Sequence, residues 1–391
     1  MLTMSGAIYA GHSVGVGSAD AFAGLTTPGY VCDYTHDGGS TAHSDAWIDN
    51  GSAGDAAAEA DADSGEGSSA RANADSGISD NSSGSADSLA TANANDDSRA
   101  KSDASAIIGG ESDCIVDATS TATATSDSYA DSDADAIIRW GGDGTATATS
   151  TATASDDSCA RSDADAIIQM GGNGIATATS GATASDDSHA NSDADAKIEK
   201  GGDGTATATS VANATDASGA RSDADATIKR GSDGIANATA AATSSDDSYA
   251  SADANSELDH GATTGTVNST AIATATGGGY ADAEANAGIE GGTGTNTAMA
   301  YATSAGADAI SYTDVETGDG SPEAGIYFDI YADGGGFAVA FIWVPPSDYN
   351  VPPLNQIFGF TYTYTGTVDL EAEAIVDGTG TFVYAGPEIE K

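Results

Sequence analysis

A unit of thirty residues repeats along the chain and holds its phase from Asp45 to Glu257, with alanine at every second position over long stretches of each unit. Three successive copies read GGDGTATATSTATASDDSCARSDADAIIQM from Gly141, GGNGIATATSGATASDDSHANSDADAKIEK from Gly171 and GGDGTATATSVANATDASGARSDADATIKR from Gly201. Such self-similarity marks one supersecondary element stacked many times, each copy covering the face its neighbour leaves open. Ala70, Ala100, Ala130, Ala160, Ala190, Ala220 and Ala250 share one position of the unit, and Trp47, Ile107, Ile137 and Ile167 share another, so about seven to nine copies are present. The unit returns once more from Tyr280 as YADAEANAGIEGGTGT, one residue out of phase, which points to a single insertion in the preceding turn.

The spacing within the unit predicts strands. In residues 145–154, Ala146, Ala148, Ala152 and Ala154 share one face, while Thr145, Thr147, Thr149, Thr151 and Thr153 share the other. Strict alternation is the period of a pleated strand, and it outweighs the helix propensity of alanine. A second alternating stretch, Cys159 to Ile168, sets Ala160, Ala164 and Ala166 on one face and Asp163 and Asp165 on the other. The SDDS between the two stretches and the GGDG or GGNG after them are turn sequences. Each unit therefore reads as strand, turn, strand, turn.

Two all-β architectures fit this unit: a β-arch stack, or β-solenoid, in which two facing sheets enclose an alanine interior, and an antiparallel β-meander. A two-residue hairpin at Asn173-Gly174 would pair odd with even positions and set alanines against the aspartate face, which counts against the meander. Stacking has its own cost. It aligns Asp133, Asp163, Asp193 and Asp223 in one column, at about 4.8 Å and on the order of 1 kcal/mol per contact in unscreened water. Salt and bound cations reduce that cost, and the neighbouring column Lys101, Asp131, Arg161, Asn191, Arg221 mixes charge with neutral or opposite partners. The arch stack is the preferred reading.

Sixty acidic residues stand against eleven basic ones, a formal charge of -49, which opposes binding to nucleic acid or anionic lipid. No stretch reaches the roughly 20 apolar residues of a membrane-spanning helix, so membrane insertion is not expected. The N-terminal MLTMSGAIYAGHSVGVGSADAFAG lacks the basic and continuously apolar regions of a signal peptide. Burying an alanine methyl contributes roughly 0.8 kcal/mol, whereas ordering one residue's backbone costs about 1 to 2 kcal/mol, so an alanine-cored stack gains from neighbours.

Three regions are expected: an N-terminal segment over residues 1–40, the acidic β-repeat array over 41–310, and a small C-terminal β domain over 321–391. In the last, aromatic and branched residues appear in GIYFDIYADGGGFAVAFIWVPP and FTYTYTGTVDLEAEAIV, which read as about four to six antiparallel strands. Such a domain would serve as a folding cap or as a docking module.

Candidate chemistry is sparse. DSDADA from Asp131 resembles the start of an EF-hand loop, but Ala136 and Gly142 stand where that loop needs glycine and glutamate. GGDGTATAT resembles a calcium-binding nonapeptide, with Thr147 near the place of the required acid. Weak binding of calcium or other cations is therefore assigned to the aspartate columns, with Asp163, Asp165, Asp193, Asp195, Asp223 and Asp225 as candidates, or to turns such as Asp156-Asp157, against the alternative of a plain solvated acidic face. GGDG lacks the lysine of a phosphate-binding loop. His12, His36, His43, His189 and His260 show no ligand spacing, no histidine recurs with the abundant serines and aspartates, and no cofactor or catalytic residue is expected. Cys32, Cys114 and Cys159 are odd in number, which makes them candidates for intermolecular disulfides. Sequons at Asn50, Asn81, Asn213, Asn237 and Asn268 are no more than serine and threonine abundance would produce.

The tandem TATATS and SDADA units, extreme acidity, the bias to glycine, alanine, threonine, serine and aspartate, and the aromatic C-terminus together resemble the proteinaceous cell-sheath proteins of filamentous methanogenic archaea. The resemblance implies a self-assembling extracellular subunit whose β-arches join laterally, as a homopolymer, into an amyloid-like sheet around the cell. Two other functions fit parts of the pattern: an ice-binding solenoid, from the Thr-x-Thr rows, and a calcium-dependent adhesin stalk, from the aspartate columns. Substitution of Thr151 by Gly181, Val211 and Ala241 in successive units breaks the regular grid that ice binding needs.

Overall fold

The computed structural model describes strands between Ile8 and Val376, with the strand-end residues Asp55, Ser126, Asp156, Asp186, Thr215 and Ser245, and side chains within residues 41–46 and 55–288. Every described element is a strand. The chain divides into two units, Met1–Gly202 and Asp203–Lys391.

In the first unit, alternate strands belong to alternate sheets. One sheet contains Ala56–Ser64, Gly84–Asn95, Cys114–Thr125, Gly144–Ser155 and Gly174–Ser185; the other contains Thr41–Ile48, Ser69–Ile78, Arg99–Gly109, Tyr129–Arg139, Cys159–Gln169 and His189–Glu199. Neighbours within these sets are parallel and offset by one whole repeat, as in Ala146↔Ala176 and Ala134↔Ala164. Consecutive repeat strands lie in opposite sheets, so the arch stack is the architecture and the meander is not. At the N-terminal side both sheets carry a reversed strand: Ser18–Leu25 runs antiparallel to Ala56–Ser64, and Tyr30–His36 runs antiparallel to Thr41–Ile48.

The second unit repeats the plan with Gly204–Ala214, Gly234–Ser244, Thr264–Ala275 and Thr293–Ala305 in one sheet, and Gly219–Lys229, Tyr249–Asp259 and Tyr280–Ile289 in the other. The insertion read from the sequence is visible as the pairings Gly234↔Gly265 and Tyr249↔Tyr280, one residue longer than the repeat. Beyond them the expected antiparallel C-terminal domain is corrected. Glu323–Asp333 and Thr361–Tyr362 extend one sheet, and Ala309–Thr317, Ala338–Val344 and Leu370–Val376 extend the other, all in parallel. Alternation and turn sequences specify that these segments are strands but carry no direction of pairing. The spacing does: Ala281 pairs with Ala309, and Ala309 with Ala338, close to the period of the array.

Burial follows the alternation. Ala146, Ala148, Ala152 and Ala154 face Ala160, Ala164 and Ala166 across the interior, all fully or almost fully buried. At one end of the interior Ile78, Ile108, Ile138, Ile168 and Ile198 form a buried branched column. Room for it comes from glycine. A Cβ at Gly174 would lie 2.9 Å from Ile168 Cδ1 and closer still to the Gly144 carbonyl oxygen. At the other end, Ser126, Asp156 and Asp186 take φ of 58–59° just after their strands, and the amides of Ser126 and Asp156 donate to the carbonyls of Ser155 and Ser185. Aspartate tolerates this left-handed region better than most residues, which is why SDDS ends the strand. The glycine turns GGDG and GGNG begin outside the described residues, which resume at Gly144 and Gly174.

Candidate functional site

Three surfaces of the stack carry polar chemistry, and the alternation of the strands assigns each residue to one of them. The first is internal. Ser102, Ser120, Ser132, Ser150, Ser162, Ser180 and Ser192 point inward with the alanines and are buried. A buried hydroxyl is costly unless bonded, and these are bonded across the arch. Ser162 Oγ donates to Ser150 Oγ at 2.9 Å, and Ser132 Oγ to Ser120 Oγ at 2.8 Å. Ser150 Oγ in turn donates to the Ser132 carbonyl at 2.8 Å, which ties one repeat to the next. In the second unit Ser222 donates to Ser210 in the same way. The sequence reading overlooked this ladder, although Ser150 falls at an even position, in phase with the alanines around it.

The second surface is the outer face of the sheet containing Cys159–Gln169. Here Asp133, Asp163 and Asp193 align in register, as do Asp135, Asp165 and Asp195. Half-buried between neighbours of the same sign, the carboxyls of Asp133, Asp135, Asp163 and Asp165 are pushed toward neutrality. Burial, then Asp165, Asp193 and Asp133, raise the Asp163 carboxyl to about 7 against the weaker opposing effect of Arg161. Burial, then Asp195 and Asp135, raise Asp165 to about 7, and Asp135 is raised to about 6. In the second unit Asp223 pairs with Asp253, and Asp225 with Asn255. Burial, then Asp223 and Glu284, raise Asp253 to about 7. Basic residues offset part of this repulsion in the adjacent column: Asp131 lies 3.3 Å from Arg99 and 3.7 Å from Lys101, and Arg161 lies 3.7 Å from Asp163. Asparagine turns the same geometry into attraction, since Asn286 Nδ2 donates to Asn255 Oδ1 at 2.7 Å.

The third surface, the outer face of the opposite sheet, is acidic toward the N-terminal side, where Asp55, Glu59, Asp61, Asp63, Asp87 and Asp117 face outward, and neutral over Gly144–Ser155 and Gly174–Ser185. Thr147↔Thr177 and Thr149↔Thr179 repeat, while Thr145 meets Ile175 and Thr151 meets Gly181, so the threonine grid is interrupted as read from the sequence. Ile115 and Ile175, 52% and 48% exposed, flank Thr145 in one column.

Of the cysteines, Cys114 is buried at the start of its strand. Cys159 is half-exposed on the acidic face, where burial and then Asp131 push its thiol up. Cys32 stands in register with Asp45, with its side chain outside the described residues. One grouping departs from the expectation that no histidine has ligand spacing. His43 and Asp45 share the outer face of Thr41–Ile48, Asp75 is in register with Asp45 on Ser69–Ile78, and one donor atom from each lies within 4.8 Å of the others. Its signal was present in the sequence as two spacings read together: two residues along a strand and thirty to the next repeat.

No described helix is long and apolar enough to cross a membrane. Comparison with protein-family models, with curated proteins and with solved structures gave no match.

Proposed function

We propose that this chain is a self-assembling structural subunit of an extracellular cell-surface sheath, a homopolymer joined through β-sheet edges, with no catalytic role and no nucleic-acid or membrane-inserted partner. The observation that carries this reading is the stack of parallel, in-register strands around an alanine and serine interior. Its outermost described strands, Leu370–Val376 among them, bond to a neighbour on one side only. Such edges are templates for further strands, and identical strands stacked in register form the cross-β arrangement. Reversed strands at the N-terminal side make that end unlike the C-terminal one, which favours growth with a direction. Likeness in composition and repeat pattern to the archaeal sheath proteins supports the cellular setting.

Electron microscopy of the purified chain at high concentration tests the proposal. Fibres, sheets or rings are expected, and a protein that stays monomeric under those conditions overturns it. The aspartate columns favour a second reading, a calcium-dependent adhesin stalk, which predicts a melting temperature that falls on addition of a chelator. Ice binding is disfavoured by the interrupted threonine grid, and an absence of thermal hysteresis would discard it.

A further inference from the structure

We propose that His43, Asp45 and Asp75 bind a single borderline divalent transition-metal ion, with zinc as the representative, and that this ion clamps strand Thr41–Ile48 to strand Ser69–Ile78. Residues two apart on a strand share a face, and a residue in register on the next parallel strand lies beside them, so the three side chains form the corners of one small triangle. His43 Nε2 is 3.2 Å from Asp45 Oδ2, and the donor atoms of all three lie within 4.8 Å of one another. A tetrahedral zinc ion with ordinary bonds to imidazole nitrogen and carboxylate oxygen holds its donors about 3.4 Å apart. The His43 and Asp45 atoms, 3.2 Å apart, are close to that separation, and the Asp75 atom, within 4.8 Å of both, would have to approach by about 1.4 Å at most.

Ligand chemistry separates this place from the rest of the acidic face. Calcium and magnesium take oxygen ligands, and the aspartate columns offer only those. An imidazole nitrogen beside two carboxylates suits zinc, cobalt or nickel. Arg71, on the outer face of Ser69–Ile78 and in register with Thr41, is engaged elsewhere: its Nε donates to Asn73 Oδ1 at 3.2 Å and its guanidinium lies 3.6 Å from Asp103. A cation between Asp45 and Asp75 would relieve the repulsion of two adjacent carboxylates. The location has a structural consequence. Thr41–Ile48 is where its sheet changes from antiparallel pairing with Tyr30–His36 to parallel pairing with Ser69–Ile78, and an ion bridging the latter pair would secure that junction.

The test uses the full chain, stripped by chelator and titrated with cobalt in a large excess of magnesium, so that the aspartate columns are occupied. One equivalent of cobalt with the visible absorption of a four-coordinate site is expected, and zinc should displace it. His43→Gln and Asp75→Asn should each weaken it by more than about tenfold, the scale on which loss of even a supporting partner acts. His189→Gln, on another strand of the same sheet, should leave it unchanged. Absence of a saturable equivalent, or binding that persists in both variants, overturns the proposal. Should the variants fail to fold, hydrogen exchange on the unmodified chain decides: zinc must slow exchange within residues 41–48 and 69–78, and unchanged exchange there also overturns it.

Discussion

Replacing Ser150 by alanine removes a hub rather than a single contact. Its Oγ donates to the Ser132 carbonyl at 2.8 Å and accepts from the Ser162 hydroxyl at 2.9 Å and the Asp163 amide at 3.3 Å. Both serines are buried, so water cannot replace what is lost. With each net hydrogen bond contributing roughly 0.5 to 1.5 kcal/mol and an orphaned buried donor costing about 1 to 3, Ser150→Ala should destabilise by about 2 to 4 kcal/mol. Ser162→Ala removes the donor to Ser150 and the acceptor that the Gly181 amide uses at 3.3 Å. Its cost should be about 1 to 3 kcal/mol.

The double variant carries the argument. With both hydroxyls gone, no Ser162 donor remains to be orphaned, so the combined cost should fall short of the sum by about 1 to 2 kcal/mol. The chain already contains this substitution. Ser210 and Ser222 face each other in one repeat, and the next repeat has Ala240 and Ala252 in register with them, changed together. Urea unfolding of the four proteins, followed by far-ultraviolet circular dichroism and compared at matched slopes, measures the coupling. A double variant equal to the sum of the singles within about 0.5 kcal/mol would refute the idea that the serines act as pairs.

Three further outcomes are expected. Because Asp163 and Asp165 titrate near 7 in the fold against an ordinary 3.8, the folded chain holds protons that the unfolded chain releases. Their contribution is complete below about pH 4 and lost as pH rises through about 7, so the melting temperature should be higher at pH 5 than at pH 8, with the gap narrowed by Asp165→Asn; equal melting temperatures would contradict this. Gly174→Ala should cost about 1 to 3 kcal/mol by overpacking and should not be rescued by Ile168→Val, since the Gly144 carbonyl stays in the way. Gly181→Ala, whose added methyl meets nothing within 4 Å, is the control and should be close to neutral in the same melts. Ile168→Ala should cost about 2 to 5 kcal/mol in urea, and a loss below 1 would show that the buried column is not close-packed.

Alternation and period were enough to read the arch, because Ala146, Ala148, Ala160 and Ala164 mark the inner face without reference to anything distant in the chain. What escaped was information carried jointly by residues on different strands. Ser150 looks like a break in the alanine face until Ser162 is placed opposite it, and His43 looks isolated until Asp75 is brought beside Asp45 by the register. For the C-terminal strands the aromatic composition was misleading. It suggested a separate antiparallel core, whereas Ala338–Val344 and Leu370–Val376 continue the parallel order, because pairing direction depends on what the chain does between strands and not on the side chains within them.

The one-residue offset at Gly234↔Gly265 separates two kinds of position in the repeat. Strands from Gly234–Ser244 to Thr264–Ala275 keep their inward and outward faces, while the connection absorbs the extra residue. Length is thus free in the connections and quantised in the strands. A gene for such a chain can gain or lose whole repeats by unequal recombination between near-identical copies, each in-phase event changing the height of the stack by one strand spacing of about 4.8 Å. Ser150 and Ser162 lie twelve residues apart inside one repeat, so a duplicated copy arrives with its hydrogen-bonded partner already aboard.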